Sequence, residues 1–501
     1  MLVTNTRPTM RWSLGAGTDG ASVAICRNRA MTTSCSSFLA SGSSGATATT
    51  LAAGTWYWQA RGRSGLSVGT ALSPVWQFRV PNRTTTRDLA WATVFDPNGD
   101  GYSDVLVGAP NATMSGAARL VYGSATGLVS TITALSATGS SGIGTSVASA
   151  GDFNGDGFVD GLVGAPGSGT ISLFPGGASG LATSWRASLS SSTGQGTALA
   201  PAGDIDGDGY ADFVAGNPNE FTGMGIVWIA FGDPSTSFTR ARMSINGPDA
   251  GGNFGAAVAS GGDINCDGRP DLVVGEPAFF GNTGKVLVYF GNGTGFGTPP
   301  TVITAPDPSG RFGASVTMTD TNADGCSDVA VGAPAYSGNA GRAYVFLGSP
   351  TGISTAVMTT MNPSSMGAGL YGTSIGAGDV NSDGYFDVIV GAPGTGDASA
   401  WIGNSTGAVS SYGGYGSPGW QQGASVASFS NVNGDTYDDL VVGAPAAMSG
   451  SMGTTGALFW SPGSATGFAG PNVIYGTDGT GSNFGKAVSW LVPPRRWWYS
   501  G

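Results

Sequence analysis

The segment GDFNGDGFVDGLVGAP, residues 151–166, carries oxygen-bearing side chains at short intervals in a glycine-rich stretch. These side chains belong to Asp152, Asn154, Asp156 and Asp160, and the apolar run GLVGAP follows them directly. Neighbouring carboxylates repel one another, and uncompensated repulsion destabilises a compact fold. The segment therefore needs a positive partner, which the surrounding sequence does not supply because it is almost free of basic residues.

The same pattern occurs seven times along the 501-residue chain, at spacings of 52 to 59 residues. Its first positions are Asp96, Asp152, Asp204, Asp263, Asp320, Asp379 and Asn431. Self-similarity at such a period is typical of solenoids, propellers and repeat arrays. The repeat, rather than any single motif, therefore determines the architecture.

Each repeat contains short apolar runs, such as FGAAVAS from Phe254, DLVVGEP from Asp271 and KVLVYFG from Lys285. Runs of this length, separated by Gly and Pro, favour strands over helices. Four short strands per repeat predict an all-β fold, a β-propeller of seven four-stranded blades, because ring closure protects the sheet edges. The 88 glycines suit its many tight turns.

The acidic pattern is D-x-[DN]-x-D-G-x-x-D, with oxygen ligands at loop positions 1, 3, 5 and 9. Hard oxygen ligands in this number suit Ca²⁺, whereas zinc-type metals are poorly served by a chain with no His and only four Cys. An EF-hand is excluded, because its Glu at position 12 is replaced by residues such as Val107, Val163 and Ala215. The predicted metal ligands are Asp96, Asn98, Asp100, Asp104, Asp152, Asn154, Asp156, Asp160, Asp204, Asp206, Asp208, Asp212, Asp263, Asn265, Asp267, Asp271, Asp320, Asn322, Asp324, Asp328, Asp379, Asn381, Asp383, Asp387, Asn431, Asn433, Asp435 and Asp439.

The acidic residues of the chain are concentrated in these loops, which hold 21 of the 31 aspartates and glutamates. A single copy is explained equally well as a metal-free Asp/Asn turn, but seven copies favour metal. Seven Ca²⁺ ions would change the net charge from −11 to +3. Six or seven sites are predicted, because loop seven has Asn431 and Thr436 where the pattern has Asp and Gly. Loop three, with four aspartates, is expected to bind most tightly.

Two further motifs accompany the repeats: FG at Phe254, Phe312 and Phe484, and VGAP after five of the loops, ending at Pro110, Pro166, Pro334, Pro393 and Pro445. Over about residues 88–490 the chain resembles the FG-GAP repeat family, the propeller of integrin α subunits. The resemblance implies Ca²⁺ loops between the first and second strands of each blade, opposite the ligand-binding face. Relatives of this type serve in adhesion, sugar binding and extracellular recognition. Blades one to three lack the FG motif and show WATVF, IGTSV and QGTAL instead.

The two ends of the chain lack the repeat pattern. The predicted domains are therefore a separate unit at residues 1–80, a linker at 81–90, the propeller at 91–490 and a tail at 491–501. Residues 1–80 look like a small β-sandwich similar to a fibronectin type III module, with Trp12, Trp56, Trp58 and Trp76 as core aromatics. At the C-terminus, SNFGKAVSW begins another repeat, but LVPPRRWWYSG follows where a loop is expected. A longer ancestor, a changed reading frame and a ring-closing strand are all compatible with this, and a truncated eighth blade is the alternative to seven.

The compartment is predicted from calcium and cysteine. No apolar run is long enough to span a membrane, and MLVTNTRPTM has no apolar segment typical of a secretory signal. Loops of low individual affinity suit millimolar Ca²⁺ outside the cytosol, so we expect an extracellular or cell-surface protein whose signal lies outside this sequence. Cys26 with Cys35, and Cys266 with Cys326, are the proposed disulfide pairs, against four free thiols.

The favoured function is calcium-dependent, non-catalytic recognition or adhesion, with an unknown protein or glycan as partner. Turns such as PAFFGNTG would form the binding face, and its candidate contacts are Phe279, Phe280, Tyr336, Tyr415 and Trp420, although packing between blades is the commoner role of such aromatics. A lectin-like propeller is the alternative. The absence of His disfavours catalysis, and a carboxylate-based hydrolase or lyase would need Glu220, Glu276, Asp249 and Asp307. A surface-layer role lacks an assembly signal, and 20 Lys and Arg disfavour nucleic acid.

Overall fold

The computed structural model describes residues 9–11, 17–26, 31–32, 35–42, 44–46, 51, 54–73, 76–80 and 95–489, with gaps in the last range at 101, 113, 138, 157, 186, 191, 209, 235–237, 239–241, 364–366, 408–409, 417–418, 431, 436, 451–452, 466–467 and 469. The predicted linker at 81–90, the tail at 491–501 and Trp12 lie outside the described residues. Among the described residues, no helix combines the length and apolar character needed to cross a membrane.

The N-terminal unit consists of two antiparallel sheets. Its strands are β1 (Thr9–Arg11), β2 (Gly20–Cys26), β3 (Ser36–Ser41), β4 (Ser44–Ala46), β5 (Gly54–Ser64), β6 (Ser67–Val68) and β7 (Trp76–Val80). The larger sheet has the order β3-β2-β5-β6 with β7 also paired to β5, and β1 pairs with β4. Trp56 is buried in the core with Val23 and Ile25, and Trp58 packs against it. The side chain of Trp76 lies outside the described part, and the fibronectin type III resemblance stays a prediction.

The repeats form seven four-stranded antiparallel sheets in the described residues, numbered here in chain order. Sheet 1 contains β8 (Val105–Ala109), β9 (Ala117–Val121), β10 (Ile132–Leu135) and β35 (Ala487–Val488). Sheet 2 contains β11 (Ser146–Gly151), β12 (Asp160–Ala165), β13 (Thr170–Phe174) and β14 (Ala187–Ser190). Sheet 3 contains β15 (Ala198–Gly203), β16 (Asp212–Asn217), β17 (Ile226–Ala230) and β18 (Arg242–Asn246). Sheet 4 contains β19 (Ala257–Ser260), β20 (Leu272–Glu276), β21 (Lys285–Tyr289) and β22 (Thr301–Thr304).

The remaining three sheets follow the same plan. Sheet 5 contains β23 (Ser315–Thr319), β24 (Asp328–Ala333), β25 (Arg342–Phe346) and β26 (Thr359–Met361). Sheet 6 contains β27 (Ser374–Gly378), β28 (Asp387–Ala392), β29 (Asp397–Ile402) and β30 (Ser410–Gly416), and sheet 7 contains β31 (Ser425–Ser430), β32 (Asp439–Ala444), β33 (Ala457–Ser461) and β34 (Asn472–Tyr475). Short helical turns join the second and third strands of sheets 3, 4 and 5. They are α1 (Glu220–Gly223), α2 (Phe279–Asn282) and α3 (Tyr336–Asn339).

The innermost strands contact one another in a closed cycle. In order around the ring they are β11, β15, β19, β23, β27, β31 and β35, and β35 contacts β11 again. The all-β propeller predicted from the repeats is therefore confirmed. Strand β35 pairs with β8 through Ala487 opposite Gly108 and Val488 opposite Val107. The C-terminal FG segment thus completes sheet 1 as a ring-closing strand and does not begin an eighth sheet.

The two named motifs explain why neighbouring sheets pack closely. The glycine of the FG motif, and the equivalent glycine where another residue replaces the phenylalanine, has a positive φ value in all seven repeats. These values lie between +77° and +88° and favour glycine over residues with a side chain. A Cβ on Gly275, which takes the place of the GAP glycine in the segment VGEP, would meet the carbonyl oxygen of Gly313, in the next FG motif, at 2.0 Å. The same contact joins Gly108 to Gly144 at 1.9 Å. Backbone therefore packs directly on backbone between sheets.

The missing FG motif of the first repeat has a simple explanation. The segment WATVF was predicted to stand in for it, but residues 91–94 lie outside the described part, and the innermost strand of sheet 1 follows Phe484 instead. Phe484 is fully buried in the core between sheets 7 and 1. Sheet 1 therefore combines three strands of the first repeat with one strand from the C-terminal FG segment, and this pairing closes the ring.

Candidate metal loops

The acidic loops all lie at one end of the sheets. In sheets 2 to 7 each loop joins the innermost strand to the second strand, and in sheet 1 it precedes β8. Position 9 is the first residue of the second strand in several sheets, as Asp160 of β12 and Asp328 of β24 show. Because the strands are antiparallel, the turns between second and third strands, including α1 to α3, lie at the opposite end.

In loops 1, 4, 5 and 6, backbone N–H groups of the loop donate hydrogen bonds to its first carboxylate. In loop 4, Asp263 Oδ1 accepts the N–H of Asp267 at 3.0 Å, and Oδ2 accepts that of Gly268 at 2.7 Å. The amide oxygen of Asn265 also accepts the Asp267 N–H, at 3.2 Å. Loop 6 repeats the bonds to its first carboxylate at 3.0 and 3.1 Å. The ligand side chains of a loop are thus brought to one side by its own backbone.

Position 4 of each loop has a left-handed backbone, which the sequence interpretation overlooked. It is Gly99, Gly155, Gly207 and Gly434 in four loops and Cys266, Ala323 and Ser382 in the other three, with φ between 56° and 75°. Glycine adopts this conformation readily, whereas other residues pay a steric cost. Glycine at position 4 of four loops was the signal for it. The turn therefore depends on position 4 as well as on the glycine at position 6.

Loop 3 holds the densest group of carboxylates. One oxygen each of Asp204, Asp206 and Asp208 lie within 4.8 Å of one another. The other six loops have Asn at position 3, and its amide donates to the position 5 aspartate, for example from Asn98 to Asp100 at 3.0 Å. Loop 3 has Asp206 at this position, so its three carboxylates converge without that donor.

Loop 5 shows an oxygen that fits a cation ligand. Oδ1 of Asp320 is buried and has no hydrogen-bond partner, which is costly for a carboxylate. Burial, and next the nearby charge of Asp324, raise the pKa of Asp320 to about 6. A hard divalent cation would satisfy this oxygen, and the surrounding donor set of carboxylates and amides is that of Ca²⁺ sites. The residues present therefore fit Ca²⁺.

The aspartates at position 9 anchor the loop as well as facing it. Asp271 is fully buried, and its oxygens accept the N–H of Ile264 at 2.7 Å and that of Gly291 at 2.8 Å. Ile264 is position 2 of the same loop, and Gly291 follows the third strand. Equivalent pairs of bonds are made by Asp160, Asp212, Asp328, Asp387 and Asp439. Burial raises the pKa of Asp271 to about 7. The assignment of the position 9 aspartates as metal ligands stays a prediction.

Loops 1, 2, 4, 5, 6 and 7 each accept a backbone hydrogen bond from the next sheet. The N–H of Ser327, in loop 5, donates to the carbonyl oxygen of Asp263 at 2.8 Å, and Ser327 Oγ accepts the N–H of Asp263 at 3.1 Å. The N–H of Ser349, after the third strand of sheet 5, donates to Ile264 at 3.1 Å. Between sheets 7 and 1, the N–H of Ser124 donates to Val432 at 3.0 Å. The loops therefore lie in the contacts between sheets.

Both proposed disulfides are present. Cys26 and Cys35 join the end of β2 to the segment before β3, with Cα atoms 4.1 Å apart. Cys266 of loop 4 and Cys326 of loop 5 are joined with Cα atoms 5.1 Å apart. Free cysteines are absent among the described residues. Loop 7 is described only in part, because Asn431 and Thr436 lie outside the described residues.

At the opposite end, the predicted contact residues differ in their surroundings. Phe280 in α2 is 82% exposed, whereas Phe279 lies under the ammonium group of Lys285, 4.1 Å from its ring centre. Tyr336 in α3 lies under Arg342 at 3.9 Å. Trp420 is partly buried against Phe459 in the core between sheets 6 and 7. The side chain of Tyr415 lies outside the described part.

Phe221, which the sequence interpretation did not single out, occupies the same place in α1 as Phe280 in α2. It is 54% exposed, and both residues have left-handed φ values, 49° and 46°. The parallel segments NEFTGMG and AFFGNTG were the signal for this equivalence. Two aromatic rings on neighbouring sheets are thus presented to solvent by strained turns.

The four carboxylates named for a catalytic alternative are engaged in separate local interactions. Asp249 pairs with Lys285, whose Nζ lies 3.3 Å from Oε2 of the fully buried Glu276. Asp307 accepts hydrogen bonds from Arg342 at 2.8 Å and from the Tyr344 hydroxyl at 2.6 Å. Glu220 accepts from Ser192 and from Asn217, the latter at 2.8 Å. These groups belong to three different sheets and serve as ion pairs or local hydrogen-bond acceptors.

Comparison with known proteins agrees with this geometry. The FG-GAP repeat model matches residues 195–229, 254–289, 312–346, 371–412 and 423–458, and an FG-GAP-like repeat model matches 96–163. Integrin alpha-5 of Xenopus laevis is 33% identical over 205 residues, which is 38% of this chain and 19% of the relative. Integrin alpha-8 of Gallus gallus is 32% identical over 211 residues, 39% of this chain and 20% of the relative.

The mouse relative integrin alpha-IIb is 32% identical over 207 residues, 38% of this chain and 19% of its own length. The chain therefore spans about a fifth of the length of the curated relatives it matches. The FG-GAP matches lie between residues 96 and 458, within the part of the chain that forms the sheets and their acidic loops. The protein carries FG-GAP repeats, and part of this region is similar in sequence to integrin alpha subunits.

Proposed function

We propose that this protein is a calcium-binding, non-catalytic extracellular recognition or adhesion protein. Ca²⁺ in six or seven acidic loops stabilises the ring of sheets, and a ligand binds at the opposite end. The ligands of each ion are the oxygens at positions 1, 3, 5 and 9 of its loop. When bound, the ion neutralises the clustered carboxylates and gives their oxygens a partner.

The observation that carries the calcium proposal is the position of the loops in the contacts between sheets. Loop 4 accepts hydrogen bonds from Ser327 and Ser349 of sheet 5, and the bond from Ser124 to Val432 repeats the arrangement where the ring closes. A cation that orders a loop therefore also orders the surface on which the next sheet rests. Because such a ligand binds only the folded state, it raises stability by mass action.

The calcium proposal is tested by comparing Asp208→Ala in loop 3 with Asp435→Ala in loop 7. Both variants remove the position 5 carboxylate, but loop 7 lacks the first aspartate, so its variant serves as a matched control. We expect Asp208→Ala to lower the number of bound Ca²⁺ ions by one and to lower the melting temperature in Ca²⁺. Asp435→Ala should have a smaller effect on both. An unchanged melting curve of the parent protein after addition of EDTA would contradict the stabilising role.

The recognition proposal is supported by the two exposed rings of Phe221 and Phe280. Aromatic side chains contribute much of the binding energy of protein interfaces, and they also stack on sugar rings. The left-handed conformation costs free energy in each turn, and such strain is found preferentially at functional sites. The relatives that the chain resembles are integrin α subunits, which agrees with a role at the cell surface.

A glycan array and a display library of extracellular proteins distinguish a lectin-like propeller from a protein-binding one. The array and the library are probed with the parent protein, with Phe280→Ala and with Phe221→Ala. Met243→Ala on β18 is the control, because Met243 is also exposed but lies on an outer strand. We expect binding to fall about tenfold or more in the two phenylalanine variants. Binding that survives both substitutions would exclude this end of the ring as the ligand site.

A further inference from the structure

The junction between sheets 4 and 5 differs from the other junctions described in the ring. At this junction alone among the described residues, two consecutive acidic loops are joined covalently, by the disulfide between Cys266 and Cys326. The corresponding residues of the other loops at position 4 are Gly, Ala or Ser. The sequence separation of the two cysteines is 60 residues, so the bond spans a whole repeat.

Both sulfur-bearing residues lie inside the ligand-bearing segments. Cys266 stands between Asn265 and Asp267 and has a left-handed backbone, φ 60°. Cys326 follows the glycine of loop 5, and its N–H donates to Asp324 Oδ1 at 2.7 Å. A change in the position of Cys266 therefore moves its neighbours at positions 3 and 5 of loop 4, and a change at Cys326 moves Asp324 at position 5 of loop 5.

The disulfide acts beside noncovalent contacts that join the same two loops. Ser327, the neighbour of Cys326, exchanges hydrogen bonds with the backbone of Asp263, at 2.8 Å and 3.1 Å. In loop 5, Asp320 has a buried oxygen without a hydrogen-bond partner. Without a cation, the carboxylates repel one another and favour an opened loop. A covalent bond between the loops limits that opening and lowers the cost of ordering them for binding.

We propose that the Cys266–Cys326 disulfide is a thiol-sensitive tether that holds acidic loops 4 and 5 in their metal-binding shape. Its reduction by a dithiol weakens Ca²⁺ binding in these two loops and leaves the other loops unchanged. The proposal rests on calcium binding by the loops. It adds a redox control confined to one side of the ring.

The exchange is balanced with a dithiol as the reductant. Cys266 is partly exposed and Cys326 is only 1% exposed, so a thiolate of the reductant attacks the sulfur of Cys266. This forms a mixed disulfide and releases the Cys326 thiolate, which takes up a proton. The second thiol of the reductant then closes its own cyclic disulfide and releases the thiolate of Cys266, which is protonated in turn. Two electrons pass to the protein.

The test is a calcium titration of the full chain, by calorimetry, before and after treatment with dithiothreitol. Reduction is expected to weaken two of the sites roughly tenfold, as loss of a supporting contact around a metal site does. Cys266→Ser/Cys326→Ser should show the weakened sites without reductant and no further change with it. Cys26→Ser/Cys35→Ser, the matched control, should respond to reductant like the parent protein.

A second variant tests whether the loss of Ca²⁺ affinity on reduction occurs in loops 4 and 5. In Asp267→Asn/Asp324→Asn, which disables both, dithiothreitol should leave the remaining sites unchanged. Equal titrations of the oxidised and reduced parent protein would overturn the tether while leaving calcium binding intact. Equal weakening of all sites would also overturn it, because the bond would then support the whole fold. An oxidised parent protein that binds no Ca²⁺ would instead refute the proposed function.

Discussion

Asp271→Ala is predicted to destabilise the propeller whether or not Ca²⁺ is present. Asp271 is fully buried, and its two oxygens accept the N–H groups of Ile264 and Gly291. Alanine would leave both donors buried without an acceptor, at about 1–3 kcal/mol each. The expected fall in the free energy of unfolding is therefore about 2–6 kcal/mol.

The comparison variant is Asp208→Ala, which removes a carboxylate that lies close to those of Asp204 and Asp206 in loop 3. Asp208 is partly exposed, and its Oδ1 accepts the N–H of Tyr210 at 3.0 Å. Water can replace this acceptor, so in EDTA we expect a loss of about 1 kcal/mol or less. In Ca²⁺ the loss should grow, because a bound ion no longer stabilises the folded state.

The assay is urea unfolding followed by tryptophan fluorescence, in EDTA and in saturating Ca²⁺. Asp271→Asn is a matched control that keeps one oxygen but turns an NH₂ group toward one of the two donors, so its loss should lie between those of the parent protein and the alanine variant. If Asp271→Ala and Asp208→Ala lose the same stability in EDTA, the aspartates at position 9 do not anchor the loops, and our interpretation of these buried carboxylates is wrong.

Three further variants test other parts of the molecule. Burial raises the pKa of Glu276 to about 7 from 4.5, although Lys285 opposes the shift, so the folded state keeps a proton that the unfolded chain loses. Stability should therefore fall as the pH rises from about 4.5 to about 7, and Glu276→Gln should reduce this fall by on the order of 2 kcal/mol in urea titrations at several pH values. An unchanged pH slope would show that Glu276 does not hold the proton. Phe280→Ala should change the melting temperature by less than about 2 °C, because the ring is 82% exposed, and a larger loss would mean that the ring packs in the fold. Val488→Asp places a charge on the ring-closing strand and should lower stability by about 3 kcal/mol or more, measured by thermal unfolding, and a neutral result would refute closure through β35.

Local patterns in the sequence were sufficient for the repeats, the strands and the loops. The spacing from Asp152 to Asp204, and its recurrence, predicted one sheet per repeat without any long-range information. Gly-Ala-Pro after five of the seven loops coincides with the end of the second strand, as in β12 and β24. These features depend on residues that are close together in the sequence, so the sequence alone was enough to predict them.

Features set by long-range contacts could not be predicted in the same way. The pairing of Val488 with Val107 depends on closure of the ring across most of the chain. The anchoring of Asp271 depends on a backbone N–H of Gly291, 20 residues away, and any residue except proline offers that donor. Phe279 and Phe280 are adjacent in sequence, yet only one is covered, because Lys285 lies over it.

The position of the loops explains why the acidity is distributed around the ring and not collected in one place. Each sheet contributes one acidic loop, and loops 1, 2, 4, 5, 6 and 7 lie where the next sheet donates hydrogen bonds, as Ser327 does to Asp263 and Ser124 to Val432. A cation at one junction therefore stabilises two neighbouring sheets. Since the sheets form a closed cycle, opening any one junction exposes the inner faces of two sheets. If Ca²⁺ stabilises each junction as proposed, the stability of the ring is limited by its weakest loop. Because loop 7 has Asn431 in place of the first aspartate, we expect unfolding to begin at the junction of sheets 7 and 1.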